Sequence, residues 1–167
     1  MSSERAAGST DGSAAGYVYG GARALVALHQ QHLREFLSVW RLAQQAGVSL
    51  PEGGGDAYRS LEALLLHVLS AARAYLVWLC RNLQLGDPGL RRPPAIDDVA
   101  GRADEYVEHL VERYATPLRD VAADRFTDET YRFSRAQTTA EGLLEHAVMH
   151  PIRHSFQLRN LMTEQAD

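Results

Sequence analysis

The chain has 167 residues, of which 46% are hydrophobic and 23% are charged, and its formal net charge is -4. These values are typical of one soluble globular domain and exclude a disordered or fibrous chain. The small negative charge provides no broad attraction to phosphate backbones or anionic lipids. We therefore expect no nucleic-acid or membrane partner, and look instead for a small-molecule substrate.

Cysteine usage and the N-terminal segment bear on the compartment and the domain boundary. Cys80 is the only cysteine and lies in an apolar run, which predicts a buried thiol without a chemical role. The sequence shows neither a secretory signal nor an apolar run of membrane-spanning length, so we expect a cytoplasmic protein. The composition of residues 1–16, which are mostly Ser, Gly, Ala and Thr, predicts a disordered tail.

The first half of the domain shows two long helical patterns. From Tyr17 onwards, apolar residues recur at three- and four-residue steps, which predicts an amphipathic helix ending at Gly47 and Pro51. A glycine-rich loop over residues 48–56 leads to a second helix, expected over about 57–84. This second helix is the most apolar in the chain.

A long connection follows the second helix. Residues 85–94 contain three prolines and two glycines, so they cannot be helical throughout. They are long enough to cross one end of a helical bundle. A third helix is expected to begin at Asp97 or Asp98 as its N-cap and to bend or end at Pro117.

The last part of the chain predicts one more long helix. After an irregular polar stretch over residues 124–137, the pattern Thr138-x-x-Glu141 forms a capping box, and the helix is expected to run to about Met162. No alternating strand pattern of useful length appears. The expected fold is all-α, a four-helix bundle with one long crossover connection, in a single metal-binding domain over residues 17–167.

Histidines in the second and fourth helices indicate a metal site. Residues four apart on a helix are separated by about 40° and one turn, so His150 and His154 can converge on one ion. His67 lies among small and apolar residues that mark the inner face of the second helix. We predict that His67, His150 and His154 bind one divalent ion. The alternative, that they are core histidines bonded to backbone or hydroxyl groups, stays open.

Other polar residues are candidates for supporting roles. His146 lies one turn from His150, on the side away from His154, so it is a candidate for supporting the ligands and catalysis without binding the ion, with simple packing as the alternative. Pro151 removes the helical hydrogen bond to the Ala147 carbonyl. Further candidates for the general base are Tyr75, His29 and His32, and those for pairing with a substrate carboxylate are Arg73 and Arg153.

These motifs resemble those of a known family. Residues 144–158, in which His150 and His154 are followed by Gln157, resemble the last-helix motif of the DinB-like proteins. Leu64-Leu65-Leu66-His67-Val68 resembles the second-helix motif of that family, and the resemblance covers roughly residues 20–163. It implies that the three histidines bind nickel, zinc or iron. Pro151 and Ser155-Phe156 depart from the residues common in the family.

The resemblance also implies an activity. Members of the family include transferases and isomerases that use low-molecular-weight thiols such as bacillithiol or mycothiol, so thiol S-transfer is the leading expectation. Three neutral imidazoles leave open coordination positions at which a thiol or a water molecule would be acidified. Two alternatives remain, a metal-dependent hydrolase and a non-catalytic, metal-binding or dimerising stress protein. Family resemblance also favours a homodimer.

Overall fold

The computed structural model describes residues 16–51 and 53–166. Within these residues the chain is mainly helical, with five α-helices and one two-stranded antiparallel sheet. The elements in chain order are α1 (Gly20–Gln45), α2 (Leu61–Asn82), α3 (Val99–Tyr114), α4 (Ala123–Thr127), β1 (Thr130–Phe133), β2 (Ala136–Thr139) and α5 (Ala140–Glu164). The tail predicted over residues 1–16 lies, apart from its last residue, outside the described residues.

The start of α2 differs from the sequence expectation by a few residues. A single 3₁₀ turn over Asp56–Tyr58 precedes the helix, and the Ser60 side chain accepts a hydrogen bond from the Ala63 amide. Ser60 has an extended backbone and therefore caps the helix, which begins at Leu61 rather than near residue 57. The 3₁₀ turn places Tyr58 beside the histidines described below.

The described residues include one small hairpin that the sequence pattern does not predict, within a chain that is mainly helical as expected. Residues 130–139 form a hairpin with a two-residue Ser134-Arg135 turn, in which Ser134 has a φ of 55°. The Tyr131 and Phe133 rings each pack at right angles against Trp78, with centroids 5.7 Å apart. Each strand has only four residues, which is too short for a clear alternating pattern. The turn also lacks the Asn-Gly or Asp-Gly pair that signals a hairpin.

The predicted capping box of the last helix is displaced by one residue. Thr139, not Thr138, is the N-cap of α5, and its side chain accepts from the Gly142 amide at 3.0 Å. Thr138 belongs to β2, where it pairs with Tyr131. Glu141 does not complete a box, because its carboxylate accepts the Tyr19 hydroxyl hydrogen at 2.5 Å. The hairpin register thus decides which threonine caps the helix.

The hydrophobic core consists of two clusters, and buried histidines lie between them. α1 and α5 run parallel, since Tyr19 contacts Glu141 near their first residues and Ser49 contacts Gln165 beyond the last residue of α1. Between the two clusters lie His29 on α1 and His150 and His154 on α5, all three buried. Fully buried members of the first cluster include Phe36, Trp40, Leu65 and Leu110, and those of the second include Leu79, Tyr114, Phe126 and Leu144.

The crossover between α2 and α3 is fixed through the backbone of Arg91. The Arg91 amide donates to His109 Nε2 at 3.1 Å, and its carbonyl accepts from the Tyr106 hydroxyl at 2.9 Å and from Arg73 Nε at 3.0 Å. His109 is thus a structural histidine. Arg73, a candidate for pairing with a substrate carboxylate, instead holds the crossover against α2.

α2 is an apolar helix that contributes heavily to the core. It is the one helix in the described part of the chain that is long and apolar enough to cross a membrane. The expectation that the sequence contains no such run is therefore wrong. The helices of a soluble core pass the same test of length and composition, and over half of this window is buried.

Cys80 is buried in α2 as predicted, and burial raises the pKa of its thiol to about 11, so the thiol stays protonated at neutral pH.

Candidate metal centre

The structure brings His67 of α2 together with His150 and His154 of α5. One ring nitrogen from each histidine lies within 4.8 Å of those of the other two. The ring centroids are 4.9 Å apart for His67 and His150, 5.4 Å for His67 and His154, and 4.7 Å for His150 and His154. The three side chains are therefore close enough to bind one metal ion.

The donor atoms suit such an ion. His150 Nε2 lies 3.1 Å from His67 Nε2. Two nitrogens at this separation, each about 2.0–2.1 Å from a common ion, would subtend about 100°, between the octahedral and tetrahedral angles. The distance also fits a hydrogen bond between the rings. His150 Nδ1 is buried without a hydrogen-bond partner among the described residues, which costs about 1–3 kcal/mol.

The three imidazoles are neutral near pH 7. Burial lowers the pKa of His150 to about 3, helped by repulsion from His154 and His67, and burial lowers the pKa of His154 to about 4. Burial also lowers the pKa of His67. Each ring therefore keeps a lone pair, which a divalent cation requires of its histidine ligands.

Gln157 orients the ring of His154. Its Oε1 lies 2.9 Å from His154 Nδ1, so that nitrogen carries the proton and donates, which leaves Nε2 as the free donor atom for an ion. The Tyr58 hydroxyl lies 3.5 Å from His154 Nδ1 and 3.5 Å from Gln157 Oε1. Sequence analysis did not identify Tyr58, because it lies in a loop without hydrophobic period and its role depends on the 3₁₀ turn.

His146 lies beside the three histidines but is not one of the clustered donors. Its side chain is exposed, and its ring centroid is 6.2 Å from that of His150. Tyr75 contacts both rings edge-on, at 5.4 Å from His146 and 5.8 Å from His150. Burial raises the pKa of the Tyr75 hydroxyl, so it remains a hydrogen-bond donor at neutral pH. Phe133 completes this aromatic wall at 6.2 Å from His146, a contact that sequence analysis missed together with the hairpin.

His29 is buried near the site, and its role is structural. Its Nδ1 donates to the Ala147 carbonyl at 3.0 Å, the carbonyl that Pro151 leaves without its helical partner. The ring packs against Tyr114 at 4.5 Å, and burial lowers the pKa of His29 to about 4. His29 Nε2 is buried without a partner among the described residues. This position makes His29 neither a ligand nor a general base.

The last two candidates from the sequence, His32 and Arg153, lie at different distances from the three histidines. His32 lies near the surface with its Nδ1 3.1 Å from a Glu35 carboxylate oxygen, and it does not belong to the site. Arg153 is exposed, and its charge helps to lower the pKa values of His150 and His154. It is thus a cation that lies close to the cluster.

Cavity size alone does not locate this centre. A cavity of about 730 Å³ lies against the crossover, bordered by Asp87, Glu112, Arg113 and Asp120. Its described lining contains no histidine or cysteine. The three histidines therefore mark the chemistry more clearly than the cavity volume does.

Fold and site together define a mainly helical protein with three clustered histidines able to hold one metal ion. No protein-family model matches the chain, and no curated protein and no solved structure matches it. The geometry of the three histidines is therefore the observation that bears on function.

Proposed function

We propose that His67, His150 and His154 bind one divalent metal ion, either nickel, zinc or iron, in a DinB-like metal-dependent enzyme. In this proposal α1, α2, α3 and α5 form a four-helix bundle with its crossover between α2 and α3. The observation that carries it is the convergence of three neutral imidazoles, with one nitrogen of each ring within 4.8 Å of those of the other two. The hydrogen bond from His154 to Gln157 adds support, since metal-binding histidines commonly donate their second nitrogen.

The proposed reaction is thiol S-transfer with a low-molecular-weight thiol, such as bacillithiol or mycothiol, as cosubstrate. A divalent ion held by three uncharged ligands keeps its double charge and lowers the pKa of a thiol or water bound to it. Beside the ion, the positive charge of Arg153 attracts an anionic substrate, and the Tyr75 hydroxyl donates a hydrogen bond to that substrate. His146 is placed on the exposed side of His150 to accept the thiol proton.

The atoms balance without an external oxidant or reductant. The thiol loses its proton to His146 or to water, and the sulfur forms a bond to an electrophilic carbon. The bond from that carbon to its leaving group breaks, and the leaving group departs with the electron pair. No redox change occurs, which is consistent with a buried, protonated Cys80 that takes no part.

Metal content tests the first half of the proposal. Protein loaded with nickel or zinc and then desalted is expected to retain about one ion per chain by elemental analysis. His150→Ala and His154→Ala should each abolish this retention. His32→Ala removes an imidazole away from the cluster and is the matched control. Stoichiometric metal in either of the first two variants would contradict the site.

Turnover tests the second half. Metal-loaded protein should accelerate the consumption of monochlorobimane only when the correct thiol is present, and His150→Ala should not. If no tested thiol is used but an activated ester is hydrolysed, the protein is a metal-dependent hydrolase. If neither reaction is accelerated while the ion is retained, the protein is a non-catalytic metal-binding protein.

A further inference from the structure

The outward face of α5 carries large apolar side chains that the core does not cover. Met149 is 53% exposed and Phe156 is 64% exposed, and Ile152 between them is partly exposed. On α1, the helix packed alongside α5, Leu28 is 41% exposed. Apolar groups gathered on one face are typical of a surface that contacts another protein.

The exposed apolar residues of α5 lie between two opposite charges. Glu145, Met149, Ile152, Phe156 and Arg159 follow one another at steps of four and three residues, the spacing of the contact positions in coiled coils. At 100° per residue these five positions fall within about 80° of one another around the helix. We call this row of five residues the outer seam.

The outer seam is symmetric in its spacing about Ile152. Glu145 lies seven residues before it and Arg159 seven residues after it, about 10 Å along the axis in each direction. Met149 and Phe156 lie three residues before it and four residues after it. The two ends therefore match in distance from the centre and differ in the sign of their charge.

This symmetry makes the outer seam complementary to an antiparallel copy of itself. With Ile152 opposite Ile152 of the partner subunit, Glu145 faces the partner's Arg159 at one end, and the reciprocal pair forms at the other. Met149 then packs against the partner's Phe156, a favourable contact of sulfur with an aromatic ring. A parallel copy would instead bring like charges together at both ends, which disfavours that arrangement.

Both charged ends of the outer seam can form these pairs. Glu145 is exposed and has no hydrogen-bond or ion-pair partner within the described part of the chain. Arg159 donates to a Glu35 carboxylate oxygen at 3.0 Å, and both side chains are about half exposed, so this pair contributes little to stability. Since a guanidinium has five N–H donors, Arg159 can bind a second carboxylate without releasing the first.

We propose that the outer seam is a homodimer interface, in which the α5 helices of two copies pack antiparallel about a two-fold axis at Ile152. Leu28 of α1 extends the apolar surface on each side of the axis. The assignment goes beyond the proposed function and does not depend on it, because the metal-site histidines of α5, His150 and His154, are buried on other faces of the helix.

Reversal of the charges tests the pairing. Sedimentation equilibrium of the metal-free full chain measures the Kd of the dimer. Glu145→Arg and Arg159→Glu each place like charges together at two symmetric positions, so each should raise this Kd by about tenfold or more. The double variant exchanges the two charges and should restore the Kd. Arg81→Glu on α2 and Glu112→Arg on α3 are exposed control reversals that should leave the Kd unchanged.

Cysteine cross-linking tests the antiparallel register. Ile152→Cys places a thiol on the two-fold axis, so mild oxidation with diamide should link the two copies through a disulfide. Thr163 lies on the same face of α5 but eleven residues from the axis. In the antiparallel dimer the two copies of Thr163→Cys are about 33 Å apart along the helix and should not link. Cys80 is buried, so the wild-type protein should not link either.

Four results would overturn the proposal. A wild-type protein that stays monomeric at its highest soluble concentration has no such interface and leaves this face to a different partner. A dimer that neither charge reversal weakens uses another surface. A double variant as weak as the single variants, with circular dichroism unchanged, excludes the pairing of Glu145 with Arg159. Efficient cross-linking of Thr163→Cys in place of Ile152→Cys would show a parallel arrangement.

Discussion

The orientation of His154 depends on a single neighbouring side chain. Gln157 Oε1 accepts a hydrogen bond from His154 Nδ1 at 2.9 Å, which leaves Nε2 as the nitrogen free to bind an ion. A ring without this partner rotates more freely and exposes its lone pair less often in the correct direction. Gln157 therefore preorganises the His154 ring for metal binding. Its effect should be visible in the metal affinity rather than in the free energy of unfolding.

Gln157→Leu is expected to lower zinc affinity by about 10- to 100-fold, since it removes the acceptor for the ring proton. Competition with a chromophoric chelator measures the change. Gln157→Glu keeps an acceptor at the same place and should retain most of the affinity. Unfolding by urea should show similar midpoints for both metal-free variants. Equal affinities for the wild-type protein and Gln157→Leu would remove Gln157 from the site.

His29 and Pro151 form a second coupled pair. Proline cannot donate the amide hydrogen that the Ala147 carbonyl would accept in a regular helix, and His29 Nδ1 supplies a replacement. This explains why α5 continues through Pro151 directly beside His150. Sequence analysis identified the freed carbonyl but not its partner, because the contact joins residues 118 positions apart.

A double-mutant cycle measures this coupling. His29→Leu leaves the buried Ala147 carbonyl unsatisfied, which costs about 1–3 kcal/mol. In the Pro151→Ala background the restored amide donates to that carbonyl, so the same His29→Leu change should cost less by a similar amount. Urea unfolding of the four metal-free proteins provides the four free energies. Strictly additive effects would show that His29 does not replace the missing helical donor.

At the scale of elements, the two threonines at the start of α5 are a natural matched pair. Thr139→Ala removes the side-chain oxygen that accepts from Gly142 and should cost about 1 kcal/mol of unfolding free energy. Thr138→Ala affects only the β2 strand and should cost less than about 0.5 kcal/mol. Chemical denaturation of the two variants measures both losses of unfolding free energy. A larger loss at Thr138 would mean that the capping box suggested by the sequence is the true helix start.

The sequence predicts long elements better than short ones, for a physical reason. The four long helices bury one face each, so their apolar residues recur over many turns and are visible without tertiary information. α4 has five residues and each strand four, too few to establish a period. The hairpin is held by ring contacts with Trp78, which the local sequence around residues 130–139 does not reveal.

For the whole molecule, the main feature is a layer of imidazoles between the two hydrophobic clusters. His29 from α1 and the two α5 histidines lie where one cluster gives way to the other, with His67 opposite them on α2. Helical spacing predicts which histidines face inward. It does not predict that Tyr58 packs against His154 or that Phe133 packs against His146, because both rings come from elements too short to show a period. The homodimer stays a prediction.

This layer makes stability depend on pH, and His29 contributes to that dependence. In the folded chain burial lowers the pKa of His29 from 6.5 to about 4, so between these values the unfolded chain binds a proton that the folded chain does not. The free energy of unfolding therefore rises with pH in this window. The stabilisation from a neutral His29 is present in full above pH 6.5 and is lost as the pH falls towards 4.

The expected slope from His29 is at most about 1.4 kcal/mol per pH unit, the value for one proton. His29→Gln keeps an amide donor but cannot titrate, so its stability should fall less steeply than that of the wild type below pH 6. Urea unfolding from pH 4.5 to 8, with a chelator present to keep the protein metal-free, measures both profiles. They should run parallel above pH 7.5, where the histidines are neutral in both states. Parallel profiles below pH 6 as well would mean that His29 is protonated equally in the folded and unfolded chains, which its burial against Tyr114 and its bond to the Ala147 carbonyl argue against.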